Sequence, residues 1–239
     1  LNLQVVATGS SGNCYALHDN GKILLLDAGI PADKILQAIR FRTPDVVGCL
    51  ITHKHLDHIK GAEKLNQRGV KFYGAIETQQ AVPFMQTSSG AFTLGQFKAL
   101  SFKVEHCNPN GTDCPNHGWI ITNNRTSERM VYITDTCTLH NTFPGIHYWL
   151  IECNYMDEML DGSPPMVVER LPHSHMSVSK LKAVFAANDL RTCKQIVLCH
   201  GSSQRLNPEA AKKAIQEATG KPVEVASAGM NIPLELDPF

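Results

Sequence analysis

Residues 46–58 read Val46-Val47-Gly48-Cys49-Leu50-Ile51-Thr52-His53-Lys54-His55-Leu56-Asp57-His58. An apolar run gives way at once to three imidazoles and a carboxylate. The apolar half predicts a buried strand over 46–52, which leaves the polar half on a loop at the rim of a sheet. Alternation along the chain points His53 and His55 the same way. Asp57 and His58 then turn toward a second point. Imidazole and carboxylate at this density suit a divalent cation, zinc or the harder manganese. The plain alternative is a solvated polar loop, and the buried strand before it argues against that.

Three distant residues repeat the arrangement. His106 follows Phe102-Lys103-Val104-Glu105, Asp135 follows Val131-Tyr132-Ile133-Thr134, and His200 follows Ile196-Val197-Leu198-Cys199. A lone histidine after a strand is usually structural. Three metal-ligand types at three strand exits are how a sheet assembles one site from distant sequence.

The rest of the chain bounds what surrounds that site. It has 239 residues, 43% hydrophobic and 18% charged, with 22 basic and 22 acidic side chains and a formal net charge of zero. This composition excludes disorder, collagen and coiled coil, and long-range capture of nucleic acid by bulk charge. Eleven histidines and eight cysteines stand out. No run approaches eighteen apolar residues, so no membrane span is expected, and the first residues do not resemble a signal peptide. Scattered cysteines in apolar runs are expected to be reduced thiols of a cytoplasmic protein. Strand-like runs recur from residue 3 to residue 226. Helical spacing appears at 32–39, at 177–187 after Ser177, and at 208–219 before Gly220. One layered α/β domain over 1–239 is the expected architecture.

The His-x-His-x-Asp-His run at His53–His58, with His106, Asp135 and His200, resembles the signature of the metallo-β-lactamase superfamily. The resemblance implies a four-layer αββα sandwich with two divalent metal ions, zinc or else manganese or iron. It implies that His53, His55 and His106 hold one metal, that Asp57, His58 and His200 hold the other, and that Asp135 bridges them. Thr8-Gly9-Ser10-Ser11-Gly12-Asn13-Cys14, Ile151-Glu152-Cys153-Asn154-Tyr155, His175-Met176-Ser177 and Leu198-Cys199-His200-Gly201-Ser202 are similar to segments of the YycJ-type branch of small phosphodiesterases and exonucleases. The 29 residues from His106 to Asp135 are too few for the transfer-RNA-binding arm of ribonuclease Z, and the 40 from Asp135 to His175 too few for the inserted domain of ribonuclease J-type nucleases. Cys107-Asn108 departs from the branch's usual Asp-Ala.

The function implied is a two-metal phosphodiester hydrolase acting on single-stranded or terminal DNA or RNA. Asp57 and Asp135 would position the attacking water, and His175 would protonate the leaving oxygen. Ser11, Asn13 and Ser202 are expected substrate contacts. Residues 9–13 could form a phosphate-binding nest or a tight turn. Cys107, Cys114 and His117 could form a further zinc site or an ordinary loop. The alternative activity is hydrolysis of a small ester, thioester or lactone, and a regulatory binding module is a third reading. The sequence leaves the oligomeric state open.

Overall fold

Strand alternation sorts the apolar residues into three separate cores, and three cores require four layers. In β3 (Lys22–Leu26), Leu24 and Leu26 enter one core while Ile23 and Leu25 enter another. In β11 (Tyr148–Glu152), Tyr148 and Leu150 share the first core, whereas Trp149 and Ile151 face a third. A strand that is apolar on both faces must be covered on both. The computed structural model, which describes residues 1–87, 89–108 and 110–234, shows how this is met.

Two seven-stranded sheets pack face to face. The first has the order β14 (Asn231–Pro233), β1 (Asn2–Ala7), β2 (Cys14–Asp19), β3, β4 (Val46–Leu50), β5 (Phe72–Gly74), β6 (Gln86–Thr87). The second has the order β13 (Val223–Val225), β12 (Gln195–Cys199), β11, β10 (Arg129–Ile133), β9 (Asn116–Asn123), β8 (Phe97–Val104), β7 (Phe92–Leu94). The central core between them holds Trp119, Tyr15, Tyr132 and Leu50. Helices α1 (Ala32–Ala38) and α3 (Ala62–Gln67) cover the first sheet through Ile35, Leu36 and Leu65. Helices α5 (Val178–Ala186) and α6 (Pro208–Thr219) cover the second through Leu181, Phe185, Ala211 and Ile215. This is the αββα sandwich. Each fully buried Leu, Ile or Phe in it stabilises the fold by roughly 1.5–3 kcal/mol.

Parallel pairing within β3-β4-β5 and within β10-β11-β12-β13 brings the carboxyl ends of these strands to one rim. The expected helix ends are found: Ser177 caps α5 by accepting from Lys180 N, and Gly220 ends α6 at φ 65°. Periodicity missed α4 (Pro165–Ser174), which buries only Leu171 and Ser174 and contains Pro172. It also missed that the motif's tail is a short helix, α2 (Leu56–Ile59). Among the described residues, no helix is long and apolar enough to cross a membrane.

Candidate metal centre

The motif is fixed where the two sheets meet. Trp119 Nε1 donates across the core to Ile51 O at 3.3 Å, and His117 N donates to Thr52 O at 3.2 Å. Asp27, fully buried at the end of β3, accepts from Thr52 N at 2.8 Å, from Thr52 Oγ1 at 3.0 Å and from Tyr132 OH at 2.7 Å. The same carboxylate holds His58 Nδ1 at 2.8 Å. Asn13 N donates to Asp57 O at 2.7 Å, and a Cβ on Gly29 would lie 1.6 Å from that oxygen, so only glycine fits there.

Strand exits are bent sharply to aim the ligands. Asp27, Asp135 and His200 each follow a strand and adopt φ of 56°, 52° and 52°. Left-handed backbone at non-glycine residues is strained, and here it turns each side chain into the rim.

His53, His55 and His106 form the first cluster. His55 Nδ1 lies 3.0 Å from His53 Nε2 and 3.2 Å from His106 Nε2. Two nitrogens bound to one tetrahedral zinc would stand ~3.3 Å apart, given the usual zinc–nitrogen distance. His106 Nδ1 donates to Ser174 O at 3.2 Å, which leaves its Nε2 lone pair free. Burial pushes the pKa of His53 well down and that of His106 down, so both are neutral, the state a metal ligand needs.

Asp57, His58, Asp135 and His200 form the second cluster, their ligand atoms all within 4.8 Å of one another. Asp135 Oδ2 lies 3.0 Å from His58 Nε2, and its Oδ1 lies 3.5 Å from His200 Nε2. Burial alone would lower the His200 pKa, but Asp135, Asp57 and Glu152 outweigh it and hold it at about 10. His58 is raised in the same way, against its burial, by Asp135 and Asp27. Asp57 and Asp135 fall well below the carboxylate range despite burial, because these imidazoles face them.

These residues fit a pair of divalent cations. The buried His200 Nε2 has no hydrogen-bond partner among the described residues, and it points at two carboxylates 3.5 and 3.8 Å away. Buried carboxylates need a positive partner. Protonated His58 and His200 supply it here, and a cation would supply it with better geometry.

A third group adjoins the second. Glu152, fully buried, accepts from Thr136 N at 2.9 Å, His175 Nδ1 at 2.6 Å and His200 Nδ1 at 3.1 Å. Burial would raise its pKa, but the His175 imidazole brings it down. The rings of His175 and His200 stack at 5.3 Å and 14°. A cavity of about 110 Å³ opens over all three groups.

The structure therefore brings together the seven sequence-predicted ligands and His175. Asp135 groups within 4.8 Å with the second cluster and not with the first. Ser11, Asn13 and Ser202, the expected substrate contacts, are not among the side chains that line this cavity. Ser10, not Ser11, lines the cavity. Asn13 is fully buried and its amide closes the turn on Gly9, with Nδ2 also 3.2 Å from His58 Nε2. Ser202 N donates to Asn154 O, and its Oγ accepts from Gln204 N. In the 9–13 segment, Gly9 N donates to Asn13 Oδ1, Gly12 N to Gly9 O and Asn13 N to Asp57 O, which builds a tight turn. Cys107 and Asp113 are cross-strand partners, while Cys114 turns to His55, its Sγ 3.6 Å from Nε2. Among the described residues, Cys107, Cys114 and His117 form no metal-binding group. Sequence reasoning missed Asp27 and Glu152 as anchors. A lone carboxylate at the end of each apolar strand was the available signal.

Residues 7–113 match the family model of the metallo-beta-lactamase superfamily. The chain is 28% identical over 242 residues to the exodeoxyribonuclease YycJ of Bacillus anthracis, covering 91% of this chain and 88% of that one. It is 30% identical over 177 residues to the exodeoxyribonuclease WalJ of Streptococcus pneumoniae, covering 65% of this chain and 63% of that one. The crystal structure of the metallo-beta-lactamase fold protein YhfI from Bacillus subtilis superposes with a TM-score of 0.70 at 16% identity, over 96% of this chain and 98% of that one. The αββα sandwich, the clustered imidazoles and carboxylates at its rim and these likenesses agree: the chain belongs to the metallo-β-lactamase superfamily, in its YycJ-type branch, and is a metal-dependent hydrolase.

Proposed function

We propose that the protein is a two-metal phosphodiesterase acting on single-stranded or terminal DNA or RNA. The observation that carries this reading is His175, held by the buried Glu152 carboxylate at 2.6 Å beside both ligand clusters. A phosphodiester needs a proton donor for its leaving alkoxide, and an anchored imidazole is suited to that task. Two relatives named as exodeoxyribonucleases support nucleic acid as the substrate. Eight unpaired cysteines fit a reducing compartment such as the cytoplasm.

His53, His55 and His106 would hold one cation, and Asp57, His58 and His200 the other, with Asp135 between them. Zinc suits this donor set, and manganese and iron are the alternatives. The cations would supply Lewis acidity toward the phosphoryl oxygens and a water acidified to near-neutral pKa. Asp57 and Asp135 would orient the attacking water by accepting its hydrogen bonds. His175, with Nδ1 donating to Glu152, presents Nε2 to the departing oxygen and gives up its proton there. Glu152 stabilises the imidazolium before that transfer. Asp27, which holds His58, and Thr134 and Thr136, which flank Asp135 in the chain, are buried away from bulk water.

Metal-loaded protein assayed on oligonucleotides, bis(p-nitrophenyl) phosphate, a thioester and a lactone tests the reading. Phosphodiester turnover is expected to dominate. His175→Ala should keep both metals and lower oligonucleotide turnover by on the order of 10²–10⁴, with a smaller loss where p-nitrophenolate departs. Faster turnover of the thioester or lactone would establish the alternative carbonyl hydrolase.

A further inference from the structure

The cavity over the metal-ligand clusters holds one permanent cation among its lining side chains. The ionisable groups around it are otherwise imidazoles, carboxylates and a thiol, and the exception is Arg170 on α4. Arg170 is exposed and has no ion pair or side-chain hydrogen bond among the described residues, although Asp57 and Asp135 line the same cavity. Ion pairs reach to 4.0 Å, so its guanidinium stands farther than that from both carboxylates. It does not neutralise the metal ligands. It stands at the rim, beyond them.

The helix that carries it is fastened to the ligand frame at one end. Ser174 Oγ donates to Arg170 O at 3.2 Å, and Ser174 O accepts from His106 Nδ1 at 3.2 Å. Pro172 O accepts from Lys180 Nζ at 2.5 Å, and His173 O from Cys107 Sγ at 3.4 Å. The last turn of α4 is thus locked to a candidate metal ligand, which fixes where the Arg170 side chain starts. The helix's other end is not packed: Met166 and Val168 are exposed.

Beyond the hairpin that pairs Cys107 with Asp113, a second cavity of about 350 Å³ is lined by Glu77, Glu105 and Asp113. Lys103 is paired there with Glu77 at 3.3 Å and His140 with Glu105 at 3.4 Å, while Asp113 is in no ion pair among the described residues. The carboxylates of the second cavity disfavour a polyanion there, whereas Arg170 offers one a cation at the first cavity.

We propose that Arg170 binds a second phosphate of the substrate, the one next to the phosphodiester being cut, so that the polynucleotide runs past α4. This rests on the phosphodiesterase reading. Guanidinium matches a phosphate in a bidentate fork, which lysine does not reproduce.

The test uses metal-loaded protein, with metal content measured for every variant, and compares wild type, Arg170→Ala and Arg170→Lys. The substrates are a dinucleoside monophosphate, with one phosphate, and a trinucleotide with two internucleotide phosphates. Arg170→Ala should raise KM for the trinucleotide by on the order of 10–100-fold, the range for one charge-assisted hydrogen-bonded pair. That loss should exceed the loss on the dinucleotide by on the order of tenfold, with Arg170→Lys between wild type and Arg170→Ala. The salt dependence of log KM for the trinucleotide should flatten by about 0.7, for one single-strand phosphate contact removed. Equal losses on both substrates, or a fall in metal content that accounts for them, would overturn the proposal and leave the phosphodiesterase reading intact. Wild-type protein that cuts neither substrate would remove both.

Discussion

His175 and His200 share one carboxylate oxygen: Glu152 Oε1 lies 2.6 Å from His175 Nδ1 and 3.1 Å from His200 Nδ1. A candidate proton donor and a candidate metal ligand are therefore oriented by the same buried atom. Glu152→Gln keeps the shape and removes the charge. It should lower turnover by on the order of 10–10³-fold and weaken metal binding at the second cluster by about 10–100-fold, the usual cost of losing a ligand's outer partner. Steady-state kinetics and metal titration check both. Full activity in Glu152→Gln would show that His175 needs no anchor.

Asp27 should matter for stability before activity. It is fully buried, and its acceptors hold Thr52, His58 and Tyr132. Asp27→Ala takes the acceptor away from four buried donors, Thr52 N, Thr52 Oγ1, His58 Nδ1 and Tyr132 OH. The expected loss is on the order of 3–5 kcal/mol, as for breaking a buried charged network from one side. Denaturant unfolding of chelated protein measures it, and a change under about 1 kcal/mol would mean that the network reorganises without cost.

The two clusters should be separable by mutation. His106→Ala is expected to lose mainly one metal equivalent. Asp135→Ala should lose the metal held with Asp57, His58 and His200 and abolish turnover. It should weaken the other to the extent that Asp135 bridges. Inductively coupled plasma analysis of the purified variants reads this directly. Unchanged metal content in Asp135→Ala would remove Asp135 from the ligand set.

Metal uptake should release protons from His58 and His200 of the second cluster. His200, raised to about 10, and His58, raised well above 6.5, are protonated at pH 7 without metal, whereas His53 and His106 are neutral. Calorimetry of metal binding in buffers of different ionisation enthalpy should therefore find proton release that falls in the double variant His58→Ala/His200→Ala. The same pKa difference stabilises the metal-free fold. Because the folded pKa of His200 exceeds its unfolded value, that stability is complete below about pH 6.5 and is lost as pH rises through about 10. Thermal midpoints of chelated protein across this window should fall, and a flat profile would contradict the pairing of His200 with its carboxylates.

The imidazoles and carboxylates that cluster at the rim, the strand exits and the layered α/β class were legible in the sequence because each is local. An apolar run followed by His53–His58 states both the strand and what it carries, and the same holds at His106, Asp135 and His200. Helices α5 and α6 were legible for a similar reason, since Ser177 and Gly220 mark their ends. Helix α4 was not, because Pro172 stands inside it and only Leu171 and Ser174 of it are buried. What the tertiary structure alone decided is which polar groups meet. Asp27 reaches Tyr132 across 105 positions, and Glu152 reaches His175 and His200 only after β11 and β12 pair in parallel register. Asn13 and Ser11 looked alike as substrate contacts, and the fold buried one beneath His58 and turned the other out to solvent. Residue type sets what a side chain can bind, and that is written in the chain. Which partner it finds depends on two sheets closing over a shared core, and that distance is not encoded by any neighbour in sequence.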